Sequence, residues 1–160
     1  MKTEALESEW EIRPEFFMAA ALEEAAQASK EDEVPIGALL IDPNGNILAA
    51  DHNRTRQNND PTAHAEILVL RRASQVFQNC RLPGTTLVVT IEPCLMCAGA
   101  LIQARVSTII FGAHDPKAGA LGSLYDLTDD KRLNHRFQVI NGVMEEESRT
   151  LMQQFFQARR

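Results

Sequence analysis

The stretch TIEPCLMCAGAL, residues 90–101, sets the reading of the whole chain. Its apolar lead-in stops at Glu92-Pro93 and passes at once into an alanine-rich run carrying Cys94 and Cys97. That reads as a buried strand feeding a helix, with proline as a natural helix opener. Cysteines three apart share one face of a helix. Near a helix start, the partial positive charge of the free N–H groups favours thiolate.

Working outward, TTLVVTI (85–91) is the strand and CLMCAGALIQARV (94–106) the helix. STIIFGA (107–113) is a second buried strand. HDPKAGALGSLYD (114–126) is rich in turn residues and reads as a long loop. RFQVI (136–140) is a further strand, NG a turn, and residues 144–160 a terminal helix. Upstream, Pro14 sits at the first position of a helix over 14–29. Residues 36–51 read as a hairpin with strands 36–41 and 47–51 about the turn PNGN. HAEILVLRRASQVF (64–77) is a helix with Ile67, Leu68, Leu70 and Val76 available to the core. Helices alternating with buried strands predict a layered α/β domain on a mixed sheet. A single domain over 14–160 follows, behind a loose polar tail over 1–13.

A chain of 160 residues with 44% hydrophobic residues builds one core and excludes disorder. No apolar run approaches the ~20 residues that span a bilayer. The N-terminus lacks the basic start and apolar stretch of a secretory signal, so a cytoplasmic location is expected. Three cysteines do not suggest a disulfide framework. The net charge of −6 argues at first against a nucleic-acid partner. Its distribution softens that: residues 1–33 hold ten acidic against three basic residues, and residues 34–160 hold thirteen basic against twelve acidic. On charge alone the surface is an ordinary solvated mixture, and Lys131-Arg132 and Arg159-Arg160 belong to it.

The chemistry lies in two motifs read together. TAHAEI puts His64 and Glu66 at the mouth of an apolar run, and PCLMC supplies two thiols. A histidine at a helix start is ordinarily a cap, and a lone CxxC can be a redox dithiol. A dithiol leaves HxE upstream unexplained. A zinc site made by His64, Cys94 and Cys97 leaves a fourth position for water, the pattern of a catalytic centre. Glu66 then serves as proton shuttle for that water. Residues i and i+2 point apart on a regular helix. His64 must therefore sit at the irregular first turn if it is to share a pocket with Glu66.

The joint pattern HxE…PCxxC resembles the zinc-dependent nucleoside and nucleobase deaminases. More narrowly, HNRT, DPTAHAEI, QNCRL, TIEPCLMCAGAL, FGAHDPKAGALGS, NHR and FFQARR resemble the bacterial tRNA-specific adenosine deaminases, from about residue 16 onward. The resemblance implies a three-layer cytidine-deaminase-like fold with a five-stranded mixed sheet flanked by helices. It implies a homodimer with one Zn2+ per subunit and a tRNA anticodon stem-loop as partner. The activity implied is hydrolytic deamination of the wobble adenosine to inosine. His64, Cys94 and Cys97 would bind zinc. Glu66 would take a proton from water, return it to N1 of adenine and later assist departure of ammonia. Asn53 would hydrogen-bond the target nucleoside, although read without the family it is a hairpin-end residue. Asp115 and Lys117 would line the anticodon surface, and Phe155 and Phe156 would lie near the RNA. Cys80 is read as a non-catalytic thiol, and His114 receives no role. The alternatives are a deaminase of free guanine or cytosine, and a non-catalytic zinc-folded RNA-binding subunit.

Overall fold

Pro14 opens helix α1 (Pro14–Lys30) in the computed structural model, which describes residues 13–160. The expected tail over 1–13 lies outside the described residues, except for Arg13, the N-cap of α1. Among the described residues the order continues as β1 (Gly37–Ile41), β2 (Ile47–His52), α2 (Ala65–Phe77), β3 (Thr86–Ile91) and α3 (Leu95–Gln103). It ends with β4 (Thr108–Ala113), β5 (Gln138–Ile140) and α4 (Glu145–Gln157). Every element read from the sequence is present.

The strands form one five-stranded sheet in the order β2-β1-β3-β4-β5. β1 pairs antiparallel with β2 and with β3, while β3, β4 and β5 run parallel. The mixed sheet expected from the alternating pattern is therefore observed. Its inner strands are buried on both faces, and successive residues divide between two cores. Ala38, Leu40, Leu87, Val89, Ile109 and Phe111 meet α2 and α3 on one side. Leu39, Ile41, Val88 and Ile110 meet Phe17, Met18 and Ala21 of α1 on the other, with Val143 and Met144 at the start of α4 packed beside them. The result is three layers, helix on sheet on helix.

Local contacts fix how closely these layers approach. A Cβ on Gly37 would lie 2.0 Å from the carbonyl oxygen of Ala21, so α1 crosses β1 where only hydrogen fits. His52, buried at the end of β2, sets Nδ1 2.7 Å from Glu24 and Nε2 2.5 Å from Glu31. It thereby ties the hairpin to α1. Asp51 beside it accepts from Arg54 Nε at 2.7 Å and Arg72 at 2.9 Å, joining β2 to α2.

Three differences from the sequence reading have physical causes. Val76 is 69% exposed, and Val69 takes the core position instead, because the buried stripe of α2 runs through Ala65, Glu66, Val69, Leu70 and Ala73. Helix α3 stops at Gln103 rather than continuing to 106. Arg105 turns left-handed at φ 62°, and Val106 N–H bonds back to the carbonyl of Leu101 at 3.2 Å. The residue in the left-handed turn is not glycine, so composition gives no stop signal there. At its other end the helix begins at Leu95 and not at Cys94, because Cys94 takes the extended backbone of an N-cap, φ −76° and ψ 175°.

Candidate active site

The carboxyl ends of β3 and β4 and the starts of α2 and α3 converge at one place, where ligands of open α/β sheets commonly sit. His64 is the N-cap of α2, with φ −75° and ψ 152°. It therefore stands off the helix, while Glu66 belongs to the first turn. This irregular start is what allows residues two apart to serve one pocket. Cys94 is likewise the extended N-cap of α3, and Cys97 lies one turn further on the same face.

His64 Nδ1 is 3.6 Å from Cys94 Sγ and 3.5 Å from Cys97 Sγ. Together the three offer one nitrogen and two sulfurs within ligand reach of a common point. Nitrogen and sulfur ligands at ordinary bond lengths from one tetrahedral ion stand about 3.6 Å apart, so the donors are already spaced for such an ion. The electrostatics agree. A hydrogen bond from Cys97 is the main cause lowering the Cys94 thiol to about 4, helped by His64. Cys97 moves the opposite way, because it holds its proton toward Cys94 and is buried. The hydrogen bond with Cys94 raises His64. The three thus form one proton-sharing unit that a divalent cation would deprotonate on binding.

Glu66 is buried, and burial raises its carboxyl above the ordinary range. Its Oε1 has no hydrogen-bond partner among the described residues. A buried, unpaired carboxylate oxygen beside such a donor set is costly unless something else binds there. A carboxyl with a raised pKa is suited to taking and giving protons near neutrality.

Asn53 follows β2 and is buried. Its Oδ1 accepts the backbone N–H of Ala65 at 2.9 Å. The side chain therefore anchors the start of α2, and its amide NH2 is not used in that bond.

A groove of about 1030 Å³ lies at the same end of the sheet. Asp115 and Lys117 form one wall, and Arg149, Met152 and Phe156 of α4 form the other. Asp115 Oδ1 closes its own turn by accepting from the N–H groups of Lys117 at 3.1 Å and Ala118 at 3.3 Å. Phe156 is 47% exposed, whereas Phe155 is only 5% exposed. The structure thus brings Phe156 to the groove and not Phe155, whose ring lies 3.4 Å beneath the Arg159 guanidinium. Arg159 is exposed, as expected from the sequence, but it is held in place. It bonds Asp32 and donates to the Phe155 carbonyl at 2.9 Å. Cys80 is exposed and lies on neither wall.

Sequence reasoning passed over Glu92. Its carboxylate is buried immediately before Pro93-Cys94. It accepts the backbone N–H groups of Asp115 at 3.1 Å, Leu121 at 2.9 Å and Ser123 at 3.2 Å, and the Ser123 hydroxyl. Burial would raise this carboxyl, but the bonds from Ser123, Leu121 and Asp115 outweigh burial and hold it low. Its place inside the motif was the available signal. Its partners are 23 to 31 residues away, which no local pattern encodes.

The MafB19-like deaminase family model matches residues 13–160. The chain is 45% identical over 152 residues to the tRNA-specific adenosine deaminase of Haemophilus influenzae, covering 93% of this chain and 88% of that one. It is 46% identical over 144 residues to the protein of the same name from Agrobacterium fabrum, covering 90% and 94%. Among solved structures, one from a study of A-to-I editing by tRNA deaminases at the wobble position of transfer RNA is similar at TM-score 0.82 and 46% identity. That match covers 85% of this chain and 98% of the other. A guanine deaminase from Nitrosomonas europaea is similar at TM-score 0.76 and 25% identity, covering 89% and 84%. With its sheet order, its layered helices and these likenesses, the chain belongs to the deaminases and, among them, to the tRNA-specific adenosine deaminase family.

Proposed function

We propose that the protein hydrolyses adenosine to inosine at the wobble position of a tRNA anticodon, with one zinc ion held by His64, Cys94 and Cys97. The observation carrying this reading is the buried Glu66 carboxyl, whose Oε1 has no partner among the described residues, beside three donors spaced for a tetrahedral ion. Zinc, when bound, supplies a Lewis acid that lowers the pKa of water to about 7.

The chain's own residues supply the rest. Glu66 takes a proton from the attacking water, carries it to N1 of the adenine and then serves the departing ammonia. Its raised pKa suits both directions of transfer. Asn53 keeps α2 in register through Oδ1 and turns its amide NH2 to the nucleoside. Lys117 and Phe156 offer the anticodon a cation and an exposed ring across the groove. Bases of a single-stranded loop are recognised by stacking on such rings. Extruding a base from a loop already single-stranded costs only a few kcal/mol.

Residues 14–160 act as a single deaminase domain, and the protein works as a homodimer in the cytoplasm. Exposed Leu95, Met96, Leu124 and Tyr125, close in sequence to the candidate ligands and their loop, support a surface covered by a second copy. Among the described residues no helix is long and apolar enough to cross a membrane.

The deciding experiment incubates the purified protein with total tRNA and with an anticodon stem-loop, then sequences for A-to-G changes at the wobble position. Free guanine, cytosine and adenine are assayed in parallel for ammonia. Release from a free base without wobble editing would replace this reading with the free-base alternative, which the likeness to a guanine deaminase keeps in view.

A further inference from the structure

A single carboxylate organises the loop that forms one wall of the groove. Glu92 follows the last residue of β3, and its own N–H bonds the carbonyl of Ala113 at the end of β4, 2.8 Å away. Its side chain is completely buried. The N–H groups of Asp115, Leu121 and Ser123 and the Ser123 hydroxyl all donate to it. His114 Nδ1 adds a contact at 3.2 Å. A carboxylate offers about four acceptor positions, so this one is saturated by one loop.

Backbone contacts continue the clamp. Ala120 N–H bonds the Pro93 carbonyl at 2.9 Å, and Cys94 and Gly119 form an isolated antiparallel bridge. Gly119 approaches so closely that a Cβ there would lie 2.3 Å from the Glu92 carboxylate. The glycine answers a close approach here and not a left-handed backbone. The segment holding the Cys94 sulfur thus also sets the position of residues 114–123. His114, Asp115, Pro116 and Lys117 of that loop line the groove opposite Phe156.

We propose that Glu92 is the positioning residue for substrate recognition. By clamping the 114–123 loop it fixes the distance between Lys117 and the α4 wall, and so governs affinity for the RNA and not the proton transfers at Glu66. This rests on the reading above that the groove receives RNA. Glutamine has the size of glutamate but only one acceptor oxygen, and its NH2 would point at other donors. E92Q therefore preserves volume and releases the loop. Gly119→Ala attacks the same contact from the other side while leaving the carboxylate in place.

The test measures kcat and KM for the anticodon stem-loop, the zinc content, and amide hydrogen exchange of residues 115–123 in E92Q, G119A and the double variant. The expected result is a KM raised about tenfold or more, with kcat within about threefold of wild type. Zinc stoichiometry stays unchanged, and exchange is faster at Asp115, Leu121 and Ser123. The double variant should be no worse than the worse single one, because both disturb one contact. A fall in kcat at unchanged KM, or loss of zinc, would overturn the proposal and assign Glu92 to the metal centre. Unchanged amide exchange in both single variants would also overturn it. If E92Q does not fold, G119A alone decides. A wild-type protein inactive on the stem-loop would refute the RNA reading, while the exchange data would still judge the clamp.

Discussion

Asn53 and Ala65, twelve residues apart, are joined by a side-chain-to-backbone hydrogen bond of 2.9 Å that ties the end of β2 to the first turn of α2. The bond spans the loop leading into His64, so a residue read as a contact to the nucleoside also holds the helix start that carries a candidate metal ligand. The two roles are separable. Asn53→Asp keeps an oxygen for the Ala65 N–H and loses the amide donors. Asn53→Ala loses both and leaves a buried donor unmet, at a cost of about 1–3 kcal/mol. The aspartate variant should therefore melt near the wild-type temperature yet deaminate poorly, and the alanine variant should fail on both counts. Equal melting temperatures for the two would remove the anchoring role.

Glu66→Gln should lower kcat by about 10²–10⁴-fold, the usual worth of a positioned acid–base group. Zinc content and fold should be retained, since Glu66 is not among the donor set. The glutamine protein should be no less stable than wild type, because an unpartnered buried carboxylate oxygen is replaced by a neutral amide. Full activity in this variant would refute the proton-shuttle assignment.

Phe155 and Phe156 should separate cleanly. Phe155 is core, and truncation to alanine should cost about 3–5 kcal/mol, visible in denaturant unfolding. Phe156 is an exposed groove residue, and its truncation should leave stability within about 0.5 kcal/mol while raising KM for the stem-loop. A Phe156→Ala enzyme with normal KM would take that ring out of the RNA surface.

The hairpin turn carries an acid-sensitive element. Burial acts to raise the Asp42 carboxyl, but bonds from the Asn46 side chain and from the N–H groups of Asn46 and Asn44 prevail and hold it below the usual 3.8. A depressed native pKa means that this contribution is complete above the unfolded value and is lost as pH falls through the native one. Asp42→Asn should therefore flatten the part of the stability profile below about pH 4, with the difference from wild type largest at neutral pH. Parallel acid-limb profiles for the two proteins would exclude the effect.

Much was legible locally. Short apolar runs, helical periodicity, Pro14, the PNGN turn and the alternation of helices with buried strands are encoded within a few residues of where they act. They gave the order of elements and the mixed sheet. The ligand candidates were legible because metal chemistry restricts residue type and helix starts restrict spacing. Composition could not place the end of α3, where Arg105 takes a left-handed turn without glycine. Nor could residue type say which of two adjacent phenylalanines faces the core, since neighbours on a helix point about 100° apart.

The sequence by itself determined the elements and singled out the candidate donors His64, Cys94 and Cys97, with the Glu66 carboxylate beside them. Tertiary structure alone decided that two helix starts meet at 3.5–3.6 Å, that Asn53 braces one of them, and that Glu92 gathers a loop 23 to 31 residues downstream. The reason is physical. Local propensity fixes backbone conformation over a few residues, whereas the partner of a buried polar group is chosen by whatever the sheet order brings within hydrogen-bond distance.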